Sequence, residues 1–159
     1  MARRSRELRP LSSEHHQALL VAFQLRKAVA GHAETAGAPR DPDGMLALAR
    51  RFEETVLTAH TSAEEDLLGR FLSPSDLHRL REEHQRLHAL LREARSGDAS
   101  VRRPPLAAFA ELLEQHVRWE ERELFPRFEA AIAAEDLSLL GRELEKRLVI
   151  AGRSGPRRT

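Results

Sequence analysis

The chain has 159 residues, a formal net charge of +1, eight histidines, and neither cysteine nor tyrosine. The near-zero charge provides no basic field for nucleic acid. The missing cysteines exclude disulfides, thiolate metal sites and a cysteine nucleophile. No apolar run approaches the roughly 20 residues of a membrane span, and no apolar segment follows the basic "MARRSRELRP" as a secretory signal would, so a cytoplasmic protein is expected. With 41% hydrophobic and 32% charged residues, the composition suits one helix-rich globular domain with its own core.

Residues 1–10 read as a basic extension, 11–150 as the domain and 151–159 as a flexible tail. The arginines at both ends (Arg3, Arg4, Arg6, Arg9, Arg153, Arg157 and Arg158) are expected to be solubilising. A first helix is expected over 13–30, with Ser12 or Ser13 as N-cap, Leu11 as its staple and Gly31 at its end. The Gly-, Pro- and Asp-rich stretch 31–44 reads as a loop. A second helix spans 43–71. "SPSD" at 73–76 caps a third, with Pro at the first helical position, running to about 95. "SGDASVRRPP" breaks the chain before a fourth helix over 105–134. A shorter amphipathic helix follows at 136–150, its stripe of Leu137, Leu140, Leu144 and Leu148 suited to docking on the domain or on a partner protein.

Apolar residues recur at steps of three and four. The second helix has Leu46, Ala49, Val56, Leu67 and Phe71, the third Leu77, Leu80, Leu87 and Leu91, and the fourth Leu106, Phe109, Leu113, Val117 and Leu124. Each set marks one helix face. Four long helices with short connections predict an all-α, up-down-up-down antiparallel four-helix bundle with an additional short C-terminal helix.

The same stripes carry His60 and Glu64, then His84 and His88, then His116 and Glu120. Buried imidazoles and carboxylates cost on the order of several kcal/mol each unless partnered. Residues four apart on a helix have Cβ atoms about 5–6 Å apart, so a His and a Glu so spaced can converge on one cation or on two adjacent ones. Two metals roughly 3.5–4 Å apart can share carboxylates while imidazoles fill the end positions. Nitrogen and oxygen donors without sulfur favour iron or manganese, with zinc as a further candidate. The first helix offers His15 and His16, which point about a hundred degrees apart; the stripe leans to His16 and leaves the choice open.

A lone HxxxE is usually a surface pair. His32 and His78 receive no role, and Glu121 and Glu123 read as solvated charges, with Glu121 an alternative to Glu120. Trp119 reads as packing. The argument for metal rests on four helices each carrying a His on the buried stripe.

The segments "SSEHHQALL", "HTSAEEDLL", "EEHQRLHALL" and "HVRWEERELFP" together resemble the hemerythrin-like family, or HHE cation-binding domain, over roughly residues 10–135. The resemblance implies a four-helix bundle holding a non-haem di-iron centre. It implies His15 or His16, His60, Glu64, His84, His88, His116 and Glu120 as metal ligands, with Glu64 and Glu120 bridging. Ferritin-like bundles use Glu-x-x-His pairs, which this chain lacks.

From the resemblance, the expected function is binding or sensing of a small diatomic ligand, oxygen or nitric oxide, or the handling of iron. The alternatives are an enzyme reducing peroxide or nitric oxide at the same centre, and a metal-poor helical interaction module. A monomer or homodimer is expected, without nucleic acid or membrane.

Overall fold

The computed structural model describes residues 4–32 and 34–153. Among these residues all regular structure is helical, and it groups into five helices. α1 spans Arg9–Val29. α2 is a continuous run of segments: α-helical Pro42–Phe52, π-helical Glu53–Leu57, α-helical Thr58–Ala63, π-helical Glu64–Leu68 and a closing 3₁₀ turn, Gly69–Phe71. α3 spans Pro74–Ser96. α4 joins Arg103–Trp119, a π segment Glu120–Leu124, and Phe125–Ala131. α5 spans Ala134–Arg153. None of the described helices is long and apolar enough to cross a membrane.

Local chemistry explains most of the boundaries. Ser73 accepts from the Asp76 amide and Asp41 from the Gly44 amide, each with a proline next in the chain, where a missing N–H costs nothing. Gly31 adopts φ +81°. Its amide donates to Ala28 and that of His32 to Lys27, which closes the last carbonyls of α1 in a Schellman arrangement.

The start of α1 departs from expectation. The helix begins at Arg9 with Pro10 in its first turn and no side-chain cap; Ser12 lies inside it and donates to Glu121 across the bundle. α4 stops at Ala131, where Ile132 turns extended, and α5 is 20 residues long, longer than the helix expected there. Phe71 is 38% exposed because the 3₁₀ turn rotates it off the stripe. The tail expected at 151–159 lies outside the described residues from 154 onward, and helical backbone continues to Arg153.

Cross-links show how the helices run. From α1 to α4, Ser12 meets Glu121 and Arg26 meets Glu114. From α2 to α3, Glu53 meets Arg95 and Glu65 meets His84. From α3 to α4, Asp76 meets Arg127 and Glu83 meets His116. In each pair residue numbers rise along one helix as they fall along the other, which is the antiparallel bundle. α5 lies against α1 and α2. It buries Leu140, Leu144 and Leu148 and pairs Arg147 with Asp66 at 2.7 Å. Its apolar stripe is therefore used within the chain.

The apolar core has two parts. One gathers Val21, Leu25, Met45, Phe52, Leu87, Leu91, Phe109 and Leu113. The other gathers Leu8, Leu11, Leu68, Leu80, Trp119, Leu124, Phe125, Leu144 and Leu148. Between them in sequence, on every one of the four bundle helices, sits a buried polar layer.

Candidate metal centre

The polar layer consists of His15 from α1, His60 and Glu64 from α2, His84 from α3, and His116 and Glu120 from α4, all buried. Their donor atoms form two groups, each within 4.8 Å: His15, His60, Glu64 and Glu120, and Glu64, His84, His116 and Glu120. The carboxylates belong to both. Glu64 sets one oxygen 3.1 Å from His60 Nε2 and the other 3.2 Å from His84 Nε2. Glu120 sets its oxygens 3.1 Å from His15 Nε2 and 3.2 Å from His116 Nε2.

The outward nitrogens are equally ordered. His60 Nδ1 donates to Glu14 on α1 at 2.7 Å. His84 Nδ1 donates to Glu65 on α2 at 2.8 Å. His116 Nδ1 donates to Glu83 on α3 at 2.7 Å. His15 Nδ1 donates to Glu121 on α4 at 2.7 Å. Each helix thus hands a carboxylate to the imidazole of the next, and the fourth hands one back to the first. A carboxylate on Nδ1 sets the tautomer and leaves the Nε2 lone pair facing inward.

The consequence is a cage of electron-pair donors without a donated proton. Both oxygens of Glu64 and of Glu120, together with His84 Nε2 and His116 Nε2, are buried with no hydrogen-bond partner. Buried polar atoms are nearly always satisfied, so this concentration calls for positive charge at the centre. Protons would supply some of it. Burial alone would push the His116 imidazole down, yet the Glu120 and Glu83 carboxylates lift it to about 10. His60 is raised well above its ordinary value against the same penalty, by Glu64 and Glu14. Glu120 is held well below the usual carboxylate range, despite burial, by His116 and His15. Cations fit the donor set better than protons do: imidazole nitrogens and carboxylate oxygens arranged in two sets that share both carboxylates suit two metal ions.

The second π segment of α2 and the π segment of α4 begin at the key carboxylates, Glu64 and Glu120. The wider turn lets two consecutive glutamates face the bundle. Glu64 and Glu120 reach the centre, while Glu65 and Glu121 reach the imidazole of a neighbouring helix. Single π turns often mark functional sites for this reason.

Of the residues singled out from sequence, the structure brings together His15, His60, Glu64, His84, His116 and Glu120. His16 is exposed, on the outer face of α1. His88 lies outside both groups: its Nδ1 donates to Glu53 at 2.8 Å, and its Nε2 faces Thr61 Oγ1 at 3.4 Å. Glu121, read from sequence as solvated or as a bridge, instead anchors His15. His78 and His32 are exposed, each beside a glutamate. Sequence reasoning missed the ring of Glu14, Glu65, Glu83 and Glu121. The dipeptides Glu14-His15 and Glu83-His84, and the doubled glutamates 64–65 and 120–121, were its signal.

An all-helical bundle with a buried histidine and carboxylate layer of this kind defines a cation-binding domain. The family model described as the Hemerythrin HHE cation binding domain matches residues 8–128 and, in a second match, 75–145; the chain belongs to this family. No curated protein and no solved structure proved similar to it.

Proposed function

We propose that the cage holds two iron ions as a non-haem di-iron centre and that the protein binds or senses a small diatomic ligand, oxygen or nitric oxide. The observation that carries this is the inward convergence of four Nε2 atoms on two fully buried carboxylates whose four oxygens have no hydrogen-bond partner. The ligands are His15 and His60 at one position, His84 and His116 at the other, with Glu64 and Glu120 shared. One chain supplies all six, so a single protomer is sufficient. A reduced iron pair held there would supply electrons to a bound diatomic ligand.

The surroundings favour binding over hydrolytic or proton-driven chemistry. A small cavity bounded by Ala18, Phe52, Val56, Leu57, Leu113 and Val117 abuts His15, His60 and His116, with Glu14 at its edge. Its largely apolar wall suits an uncharged small molecule. Glu65, Glu83 and Glu121 hold their imidazole protons on Nδ1 away from the cavity, while Glu14, which holds that of His60, borders it. The test is metal analysis and spectroscopy of anaerobically purified protein, followed by exposure of the reduced form to air. Two irons per chain and a reversible absorption band on oxygenation support binding or sensing. Rapid turnover of added peroxide supports the enzyme instead. Absence of iron, with zinc or manganese in its place, overturns the di-iron assignment.

A further inference from the structure

We propose that Arg4 is a positioning residue for the metal position at the His15 end of the cage, acting through Glu121. The inference rests on the two-metal assignment above. Arg4 lies five residues before α1 begins, in a segment expected from sequence to be only a solubilising extension. Its guanidinium is instead mostly covered, with 17% of the side chain exposed. One nitrogen donates to the Glu121 carboxylate at 2.9 Å and to the Glu121 carbonyl at 2.7 Å. The other pairs with Glu129, whose second oxygen accepts from the Ser5 amide at 3.0 Å.

Glu121 is thereby held from three sides: by Arg4, by the Ser12 hydroxyl at 2.6 Å and by His15 Nδ1 at 2.7 Å. A carboxylate so fixed holds the imidazole plane of His15 in turn. The buried Phe125 ring adds a second support. It stacks on His15 with ring centres 5.5 Å apart and planes 12° from parallel, and the Arg4 guanidinium lies 5.1 Å from the same ring centre. Arg4 therefore reaches His15 by two routes, a hydrogen-bonded carboxylate and a shared aromatic ring.

The other end of the cage has a looser counterpart. Glu83, behind His116, pairs with Arg79 at 2.7 Å. The Arg79 guanidinium lies 4.2 Å from the ring centre of Trp119, which is tilted 43° against His116 rather than stacked on it. Arg79 is 46% exposed, against 17% for Arg4. Glu65, behind His84, has Arg81 at 3.7 Å, 53% exposed. Solvated long side chains hold geometry weakly. The two positions thus share their bridging carboxylates but differ in how firmly an outer cation fixes an imidazole. Loss of Arg4 should loosen one position and spare the other.

The test titrates cobalt(II) into the metal-free full-length chain, wild type against Arg4→Met, with Arg127→Met as a control that breaks an ion pair of α4 remote from Glu121. Wild type and Arg127→Met should take up two equivalents with the same affinities. Arg4→Met should bind one equivalent normally and the other about 10–100-fold more weakly, the range typical for partners of metal ligands. In that variant the cobalt-shifted Nδ1 proton signal of His15 should change while that of His116 stays. Arg4→Lys keeps the charge but cannot hold both carboxylates, so it should weaken the same position to a smaller degree; it decides the matter if Arg4→Met loses its helical signal. Unchanged binding in Arg4→Met and Arg4→Lys, or equal weakening of both positions, overturns the proposal. A wild-type chain that takes up no cobalt overturns the two-metal assignment itself, a separate result.

Discussion

His15 Nε2 and His60 Nε2 lie 3.1 Å apart in the buried layer, while each ring's Nδ1 donates to a carboxylate. Two lone pairs cannot face each other at that distance without a proton or a cation between them. α1 and α2 thus converge on a point that must carry positive charge, as a proton or as a bound cation.

Removing a cage ligand should remove metal and stability together. His116→Ala leaves Glu120 buried with one fewer partner, and breaking a buried pair in this way costs about 3–5 kcal/mol. The variant should lose at least one metal equivalent by elemental analysis and melt at lower temperature. His32→Ala should change neither. Metal loss in His32→Ala with retention in His116→Ala would sink the site assignment.

The outward carboxylates should matter to metal without being ligands. Glu14→Gln weakens the acceptor on His60 Nδ1 while keeping the side chain's shape. Metal affinity should fall about 10–100-fold, with helicity by circular dichroism unchanged. Affinity equal to wild type would show that the ring of carboxylates is not tuning the imidazoles.

His88 sits beside the cage rather than in either group. His88→Ala should therefore weaken metal binding less than His84→Ala does in a side-by-side competition titration. The reverse order would place His88 among the ligands.

The two extreme acid–base shifts give opposite pH signs. His116, lifted from 6.5 to about 10, stabilises the metal-free fold fully below 6.5, and that contribution disappears as pH rises through 10. Glu121, lowered from 4.5 to about 2 by His15, Ser12 and Arg4 against the penalty of burial, stabilises it fully above 4.5, and that contribution disappears as pH falls through 2. The melting temperature of the metal-free protein should thus decline on both sides of a plateau between about 4.5 and 6.5. Metal must displace the His116 proton, so apparent affinity should rise with pH between 6.5 and 10, with proton release measurable by calorimetry in two buffers. An affinity independent of pH across that window would contradict a protonated metal-free cage.

α5 contributes to the fold through its buried stripe. Leu144 is fully buried, and Leu144→Ala should cost about 2–5 kcal/mol in denaturant unfolding. Leu139→Ala, at a position 56% exposed, should cost little. Equal costs would mean that α5 is not docked on the bundle in solution.

Helical spacing made most of this legible before any coordinates. Steps of three and four placed Leu113, His116, Val117, Glu120 and Leu124 on one face, and a face that mixes apolar residues with His and Glu is an anomaly visible in the string itself. The same logic could not choose between His15 and His16. Adjacent residues differ by about a hundred degrees, and the rotation of α1 depends on where Leu11, Ala18 and Leu25 seat against α4. Nor could it see that Glu121 belongs behind His15, because regular α-helical turns send consecutive glutamates to different faces. The π turn at Glu120–Leu124 changes that.

The sequence by itself determined the helical class, the antiparallel order of the bundle, the polar layer across its core and the identity of His60, Glu64, His84, His116 and Glu120 as members of that layer. The antiparallel order follows from the short connections between helices, and the rest from short-range periodicity, which the local backbone geometry enforces. Only the tertiary structure decided which first-helix histidine enters, that His88 stands aside, that four carboxylates hand off around the bundle, and that Arg4 closes over the His15 end. Those outcomes depend on helix rotation and on contacts between residues as distant in the chain as Arg4 and Glu121, which local spacing does not encode.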